Sequence, residues 1–430
     1  MRRVALTLGL LGLLAGCPGE EPEAPSDAAP ASPESAEDSE SATQAPDPAT
    51  PDVTPAPPAV PGGPRRGEAI DLLTTVVKRE AGKPANAWAL AHGILAMGPG
   101  FTAGDGRPAL QVLVDDFLKA ERLPGLKGLQ PYFPDTTEAG LPVEPHTDLI
   151  LKTLIEVGLS LDEPLLDREG APTLERLLRS ARARYTPKPD AKGTAAFAKP
   201  DDVAWSLQAF CQAVDVGAAE TWPGVGNAQA NIDVLARQQL EMLEAETWFM
   251  RQAMVKGESV QKRRQGIFAF TCGGAHLHQA VVACAASGFP RDDKLAERID
   301  KLNEIYQWRI PLETKLVEDA MQQAPKLAPL LYNQDVKFLG HLLESLGKAE
   351  WEGFFSPTGE ERLLLEDAEG RLLAHVIMMN KLGVYDADKL AGWMASADTR
   401  QFYLDVVGDA SHALSGIKIQ AALRAKRAEK

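Results

Sequence analysis

Seven histidines occur in this chain of 430 residues, and six of them lie in apolar stretches: His92, His146, His276, His278, His341 and His375. Imidazole titrates near neutrality and is the commonest metal ligand, so this segregation points to acid–base or metal chemistry. The densest group is Thr271-Cys272-Gly273-Gly274-Ala275-His276-Leu277-His278. Cys272, His276 and His278 are all zinc-ligand types, and catalytic zinc sites use three protein ligands plus water. Their spacing matches no known zinc motif. On one helix His276 and His278 would diverge, because helical neighbours lie three or four residues apart. The two glycines free the backbone to bend sharply or to approach a ligand. The cofactor expectation is therefore none, with zinc on Cys272, His276 and His278 as the alternative.

Other reactive groups are weaker pointers. Asp115-Asp116, Asp201-Asp202 and Asp292-Asp293 have the look of acid–base pairs, but the latter two open helices, where aspartate caps exposed amides. His146 with Asp148, or Tyr185 and Tyr306, would suit a lyase. Cys211, Cys272 and Cys284 are an odd set of thiols. Cys272 and Cys284 would lie about 18 Å apart on one helix, too far to bridge. Three small buried thiols are the favoured reading, with Cys211 and Cys284 the plausible pair as the alternative. The sequence contains no glycine-rich phosphate loop, serine nucleophile elbow or metalloprotease helix motif.

The elements that carry these residues are helical. Apolar residues recur at the helical period, as in Ile70, Leu72, Leu73, Val76 and Val77, and no alternating strand pattern is evident. Six thirteen-residue windows end in glycine, the usual residue just past a helix: Asn86–Gly98, His146–Gly158, Trp205–Gly217, His276–Gly288, Asp335–Gly347 and Arg371–Gly383. The glycines are 60, 59, 71, 59 and 36 residues apart. A period near 60 fits a repeated α-hairpin. The windows are apolar all round, which marks buried helices. The segments between them, Arg107–Glu121, Pro172–Arg184, Asn227–Gln252 and Arg291–Gln323, carry the charge and are the expected outer partners. The tail Asp386–Lys430 reads as an irregular closing segment.

Buried helices alternating with amphipathic ones broadly resemble the α/α toroid of terpenoid cyclases, prenyltransferase β-subunits and several polysaccharide lyases. The fold class expected is all-α, with repeated hairpins closing into a toroid; an open α-solenoid is the alternative. The resemblance implies a central cavity ringed by the N-terminal ends of the inner helices. His146, Trp205, His276 and Asp335 stand at or near that end. His92, His278, His341 and His375 complete the candidate cavity set.

The first residues have their own signature. Met1-Arg2-Arg3 is basic, Val4–Leu14 is apolar, and the run is too short to span a bilayer. Leu14-Ala15-Gly16-Cys17 resembles the lipobox of bacterial lipoproteins. The resemblance implies lipidation of Cys17, with the lipid bilayer as a partner and a location at the cell membrane or outer membrane, facing periplasm or cell surface. Residues 18–66 follow as an expected disordered tether. Pro18 to Pro64 includes thirteen prolines and ten acids, with no base. Such a composition cannot bury enough apolar surface to fold. The body is expected over 67–430.

The formal charge of −15 with no basic block argues against nucleic acid as a partner. The first functional expectation is an anchored helical module presenting a concave face to an envelope protein, peptide or glycan. The alternative is a cavity enzyme, a metal-dependent hydrolase or polysaccharide lyase, acting on an envelope or extracellular polymer.

Overall fold

The computed structural model describes residues 64–185, 188–189, 195–196, 200–223, 229–263 and 265–429. The expected signal segment, Cys17 and the tether up to residue 63 lie outside them. Helix α1 (Pro64–Val76) starts within the expected tether. The fold is all-α in character. After α1 come α2 (Ala87–Met97), a single turn α3 (Ala109–Val112), α4 (Leu149–Glu156), α5 (Leu174–Arg184), α6 (Pro200–Asp215) and α7 (Ile232–Lys256). Then follow α8 (Ala275–Ala286), α9 (Leu295–Gln323), α10 (Ala328–Trp351), α11 (Gly359–Lys381), α12 (Ala387–Ala395) and α13 (Ala397–Ala428). No described helix is long and apolar enough to cross a membrane.

Local chemistry sets the helix ends. The Asn86 side chain accepts the Ala89 N–H at 3.0 Å and so caps α2. Thr358 and Glu361 form a reciprocal capping box on α11. The apolar windows are buried as their composition requires. Eight of the eleven residues of α2 are buried, and eleven of the twelve in α8. Helix α5, by contrast, buries Leu174, Leu177 and Leu178 on one face and turns most of its charges outward.

Four expectations need correction. Three small antiparallel hairpins are present, pairing Lys119–Arg122 with Leu129–Tyr132, Lys188–Pro189 with Ala195–Ala196, and Thr221–Pro223 with Gln229–Asn231. The first takes over the end of the helix expected at Arg107–Glu121, which stops at Phe117. Gly347 ends no helix. It lies inside α10, where a β-carbon would come within 2.6 Å of Ile419. The tail is not irregular either, because α13 runs through it for 32 residues.

The helices that share the core are α2, α4, α6, α8, α10 and α13. Each packs on the next, and α13 packs on both α10 and α2. Cross-helix pairs advance together in number. Trp205 meets His276 and Cys211 is bonded to Cys284. His276 meets His341, and Gln279 meets Lys348. His92 meets His412, and Ala96 O accepts from Lys418. These helices therefore run parallel, and the intervening ones return the chain. Helix α11, the sixth window, is one of the returning helices and packs against α1 and α10. Its short glycine spacing of 36 residues reflects that difference in role. Helices α10 and α13 approach most closely at glycine: a β-carbon on Gly416 would sit 2.8 Å from Gly340 O.

Candidate metal centre

The parallel helices bring five histidines together. His92 comes from α2, His276 from α8, His341 from α10 and His412 from α13, while His146 lies just before α4. The His341 and His412 rings are 3.9 Å apart. His276 is 5.0 Å from His341 and 5.2 Å from His412. His92 meets His412 at 5.4 Å. His146 stacks flat on Trp205 at 4.2 Å, and Trp205 lies 4.6 Å from His276. These side chains, with Cys272 and Trp88, line a cavity of about 30 Å³. That volume suits a water or an ion rather than an organic molecule.

Cys272 reaches the cavity through a strained turn. Its φ is 52°, followed by 59° at Gly273 and 75° at Gly274, three left-handed residues in a row. A left-handed conformation costs a non-glycine residue about 1–2 kcal/mol, and such strain concentrates at functional sites. Helix α9 fixes the turn. The Arg309 guanidinium donates to Gly273 O at 2.8 Å, and the Tyr306 hydroxyl to Gly274 O at 2.7 Å. Arg309 is itself buried and paired with Glu313 at 2.7 Å. A β-carbon on Gly274 would lie 2.1 Å from Ile267, so only glycine fits there.

One ligand atom each from Cys272, His276 and His341 falls within 4.8 Å of the others. In tetrahedral zinc sites, bond lengths of about 2.0–2.3 Å place ligand atoms roughly 3.5 Å apart. A contraction of about 1 Å would thus close the site. His341 shows the best fit to a cation. Its Nδ1 lies 2.8 Å from the Lys337 carbonyl, which can only accept, so Nδ1 carries the proton. Its Nε2 is then a lone pair, buried, with no hydrogen-bond partner. A buried acceptor without a partner is costly, and coordination would satisfy it. Burial first, then neighbouring histidines, holds the His276 and His341 pKa values well below the usual range. Both stay neutral, as a metal ligand must.

His412 is set by a carboxylate. Its Nδ1 lies 2.6 Å from Glu344 Oε2. Burial pushes the Glu344 pKa up, but Lys348 and then His412 outweigh it, so the group is held well below its ordinary value. Lys348 in turn contacts Glu344 at 2.8 Å and also pairs with Glu156, which pairs with the buried Lys152.

The candidates expected from sequence divide accordingly. His92, His146, Trp205, His276 and His341 converge. His278 does not: it points away to Ser345 Oγ at 2.6 Å and Asn303 Oδ1 at 2.9 Å. The grouping Cys272, His276 and His278 is therefore corrected to Cys272, His276 and His341, since residues two apart on a helix face different sides. Asp335 and His375 pair with each other at 2.9 Å, away from the cavity, with Arg371 2.7 Å from Asp335. His412 and Glu344 were missed. The signal for His412 was present: Gly408-Asp409-Ala410-Ser411-His412-Ala413 is as small and apolar as the other inner helices. It lacked only the terminal glycine.

Buried neutral histidines make the fold acid-sensitive. Burial, then the proximity of His412, lowers the His92 pKa to about 3. Above the unfolded value of about 6.5 both states are neutral and nothing is lost. As pH falls below it, the unfolded chain binds the proton first, and stability drops by about 1.4 kcal/mol per pH unit for each such histidine until the folded value is reached. Urea midpoints measured at pH 7, 6 and 5 should fall in that order, and replacing His92 with Gln should flatten the slope.

No family model, curated protein or solved structure matches this chain.

Proposed function

We propose that the body is an α/α toroid whose central cavity holds a catalytic zinc ion on Cys272, His276 and His341, and that the protein is a metal-dependent hydrolase. The convergence of these three ligand atoms, with the partnerless buried Nε2 of His341, carries the reading. The contact of α13 with both α10 and α2 supports ring closure over an open solenoid. Three protein ligands leave a coordination position for water, the arrangement of catalytic rather than structural zinc. The cation would supply Lewis-acid activation of that water. His412, oriented by Glu344, lies beside His341 to accept a proton. Trp205 and the half-buried His146 form the aromatic wall that a substrate group would meet first.

The sequence ranks a partner-binding module first. A cavity about the size of one water favours chemistry at an ion over capture of a peptide or glycan. The lipobox at Leu14–Cys17 supports anchoring through acylated Cys17 in the cell membrane or outer membrane, which would place an envelope or extracellular polymer within reach as substrate. The direct test is metal analysis of the purified full-length protein after zinc loading and dialysis. About one zinc per chain is expected, with less than a tenth of that in Cys272→Ser. Equal retention in that variant would refute the assignment.

A further inference from the structure

The outer layer holds a second cavity, of about 260 Å³, between the returning helices α7 and α9. It shares no lining residue with the metal centre. Helix α7 contributes Glu244, Trp248 and Arg251, and α9 contributes Arg298 and Lys301.

Two side chains of α7 are uncommitted. The Trp248 indole is 59% exposed, more than any other described tryptophan. No ring or cation lies against it among the described residues, whereas Trp351, the other exposed one, carries Lys426 over its ring at 4.4 Å. Arg251 follows one turn later on the same face. It makes no hydrogen bond or ion pair among the described residues. Its charge reaches Glu297, but that carboxylate is already paired with Lys301. The third cation, Arg298, is fully engaged: it bonds Glu244 at 2.6 and 2.7 Å and Asp292 at 2.7 Å.

These groups define a ligand. An open guanidinium selects a carboxylate, whose two oxygens match its planar fork. A cationic ligand is disfavoured, because three positive side chains line the cavity against one carboxylate. The body of the ligand meets the indole on one side and polar groups on the others. The apolar floor offers almost no surface, since Leu302 and Ile305 are 1% and 2% exposed. Glu244 keeps lone pairs for hydroxyl donors, and the Lys301 ammonium keeps N–H donors for hydroxyl acceptors. A sugar ring meets both demands, with a C–H face for the indole and a rim of hydroxyls. The volume lies just below that of drug-sized pockets and leaves room for one such ring.

We propose that this cavity binds a hexuronic acid. Arg251 holds the carboxylate, Trp248 stacks on the ring, and Glu244 and Lys301 take its hydroxyls. The site does not depend on the metal centre.

Fluorine NMR of the full-length protein labelled with 5-fluorotryptophan tests it. The Trp248 resonance is identified as the one lost in Trp248→Phe. It should shift saturably with D-glucuronate in the millimolar range. D-glucose, which lacks the carboxylate, and cyclohexanecarboxylate, which lacks the hydroxyls, should each bind at least about ten-fold more weakly. Arg251→Met should weaken glucuronate about ten-fold or more, with helicity and zinc content unchanged. Cys272→Ser should bind glucuronate as the parent does, which separates this site from the metal reading. Absence of a saturable shift at the Trp248 resonance overturns the proposal. So do equal affinities for glucuronate and either comparison compound, parental binding by Arg251→Met, or loss of binding in Cys272→Ser.

Discussion

His341→Ala should bind zinc on the order of 100-fold more weakly than the parent, whereas His278→Ala should bind it almost as well. The two histidines are equally buried, and sequence alone favours His278 because it sits beside Cys272 and His276. Geometry reverses that choice. Both nitrogens of His278 are already engaged, by Ser345 and Asn303. His341 has one nitrogen engaged and the other buried without a partner. His278→Ala should instead cost stability, because it leaves Ser345 and Asn303 without their buried partner, about 1–3 kcal/mol. Competition with a chromophoric zinc chelator, run beside urea denaturation, separates the two outcomes. Weakened zinc binding in His278→Ala with parental binding in His341→Ala would invert the assignment.

Glu344→Leu should be the most destabilising single change in the body, by about 3–5 kcal/mol. Glu344 is 1% exposed and holds three partners: His412, Lys348 and Gln279. Its removal leaves Glu156 as the one carboxylate facing both Lys152 and Lys348, and that excess positive charge, with His412 stripped of its partner, is the cost. The double variant Glu344→Leu with Lys348→Met should recover much of the loss, since it removes both charges. Denaturant midpoints for the parent, both single variants and the double variant measure the coupling. A loss below about 1 kcal/mol for Glu344→Leu would show that this network is not held as described.

The sequence carried much of the core and less of the site. Small, apolar windows marked α2, α4, α6 and α8 correctly because each ends in a glycine that the turn requires. The same rule failed twice, for one physical reason. Helices α10 and α13 are long and pack against each other through Gly340 and Gly416, so their glycines serve close approach rather than termination. Glycine as an end marker thus gave α11 a place in the core and denied one to α13. His375 was promoted with α11, Asp335 with the start of the α10 window, and His412 was dropped with α13.

The turn at Cys272 was legible only as a pair of glycines. Its left-handed run depends on Arg309 and Tyr306, more than thirty residues away, which no local pattern reveals. Glu344 was invisible for a similar reason. A glutamate in an apolar helix reads as a surface residue until its buried partners from two other helices are in place.

The most direct test of the central claim is X-ray absorption at the zinc edge of the loaded protein. The account predicts one sulfur at about 2.3 Å and two imidazole nitrogens at about 2.0–2.1 Å, completed by a light atom. The sulfur shell should vanish in Cys272→Ser, and one imidazole in His341→Ala. A coordination shell of oxygens alone, or a sulfur shell that survives Cys272→Ser, would contradict it.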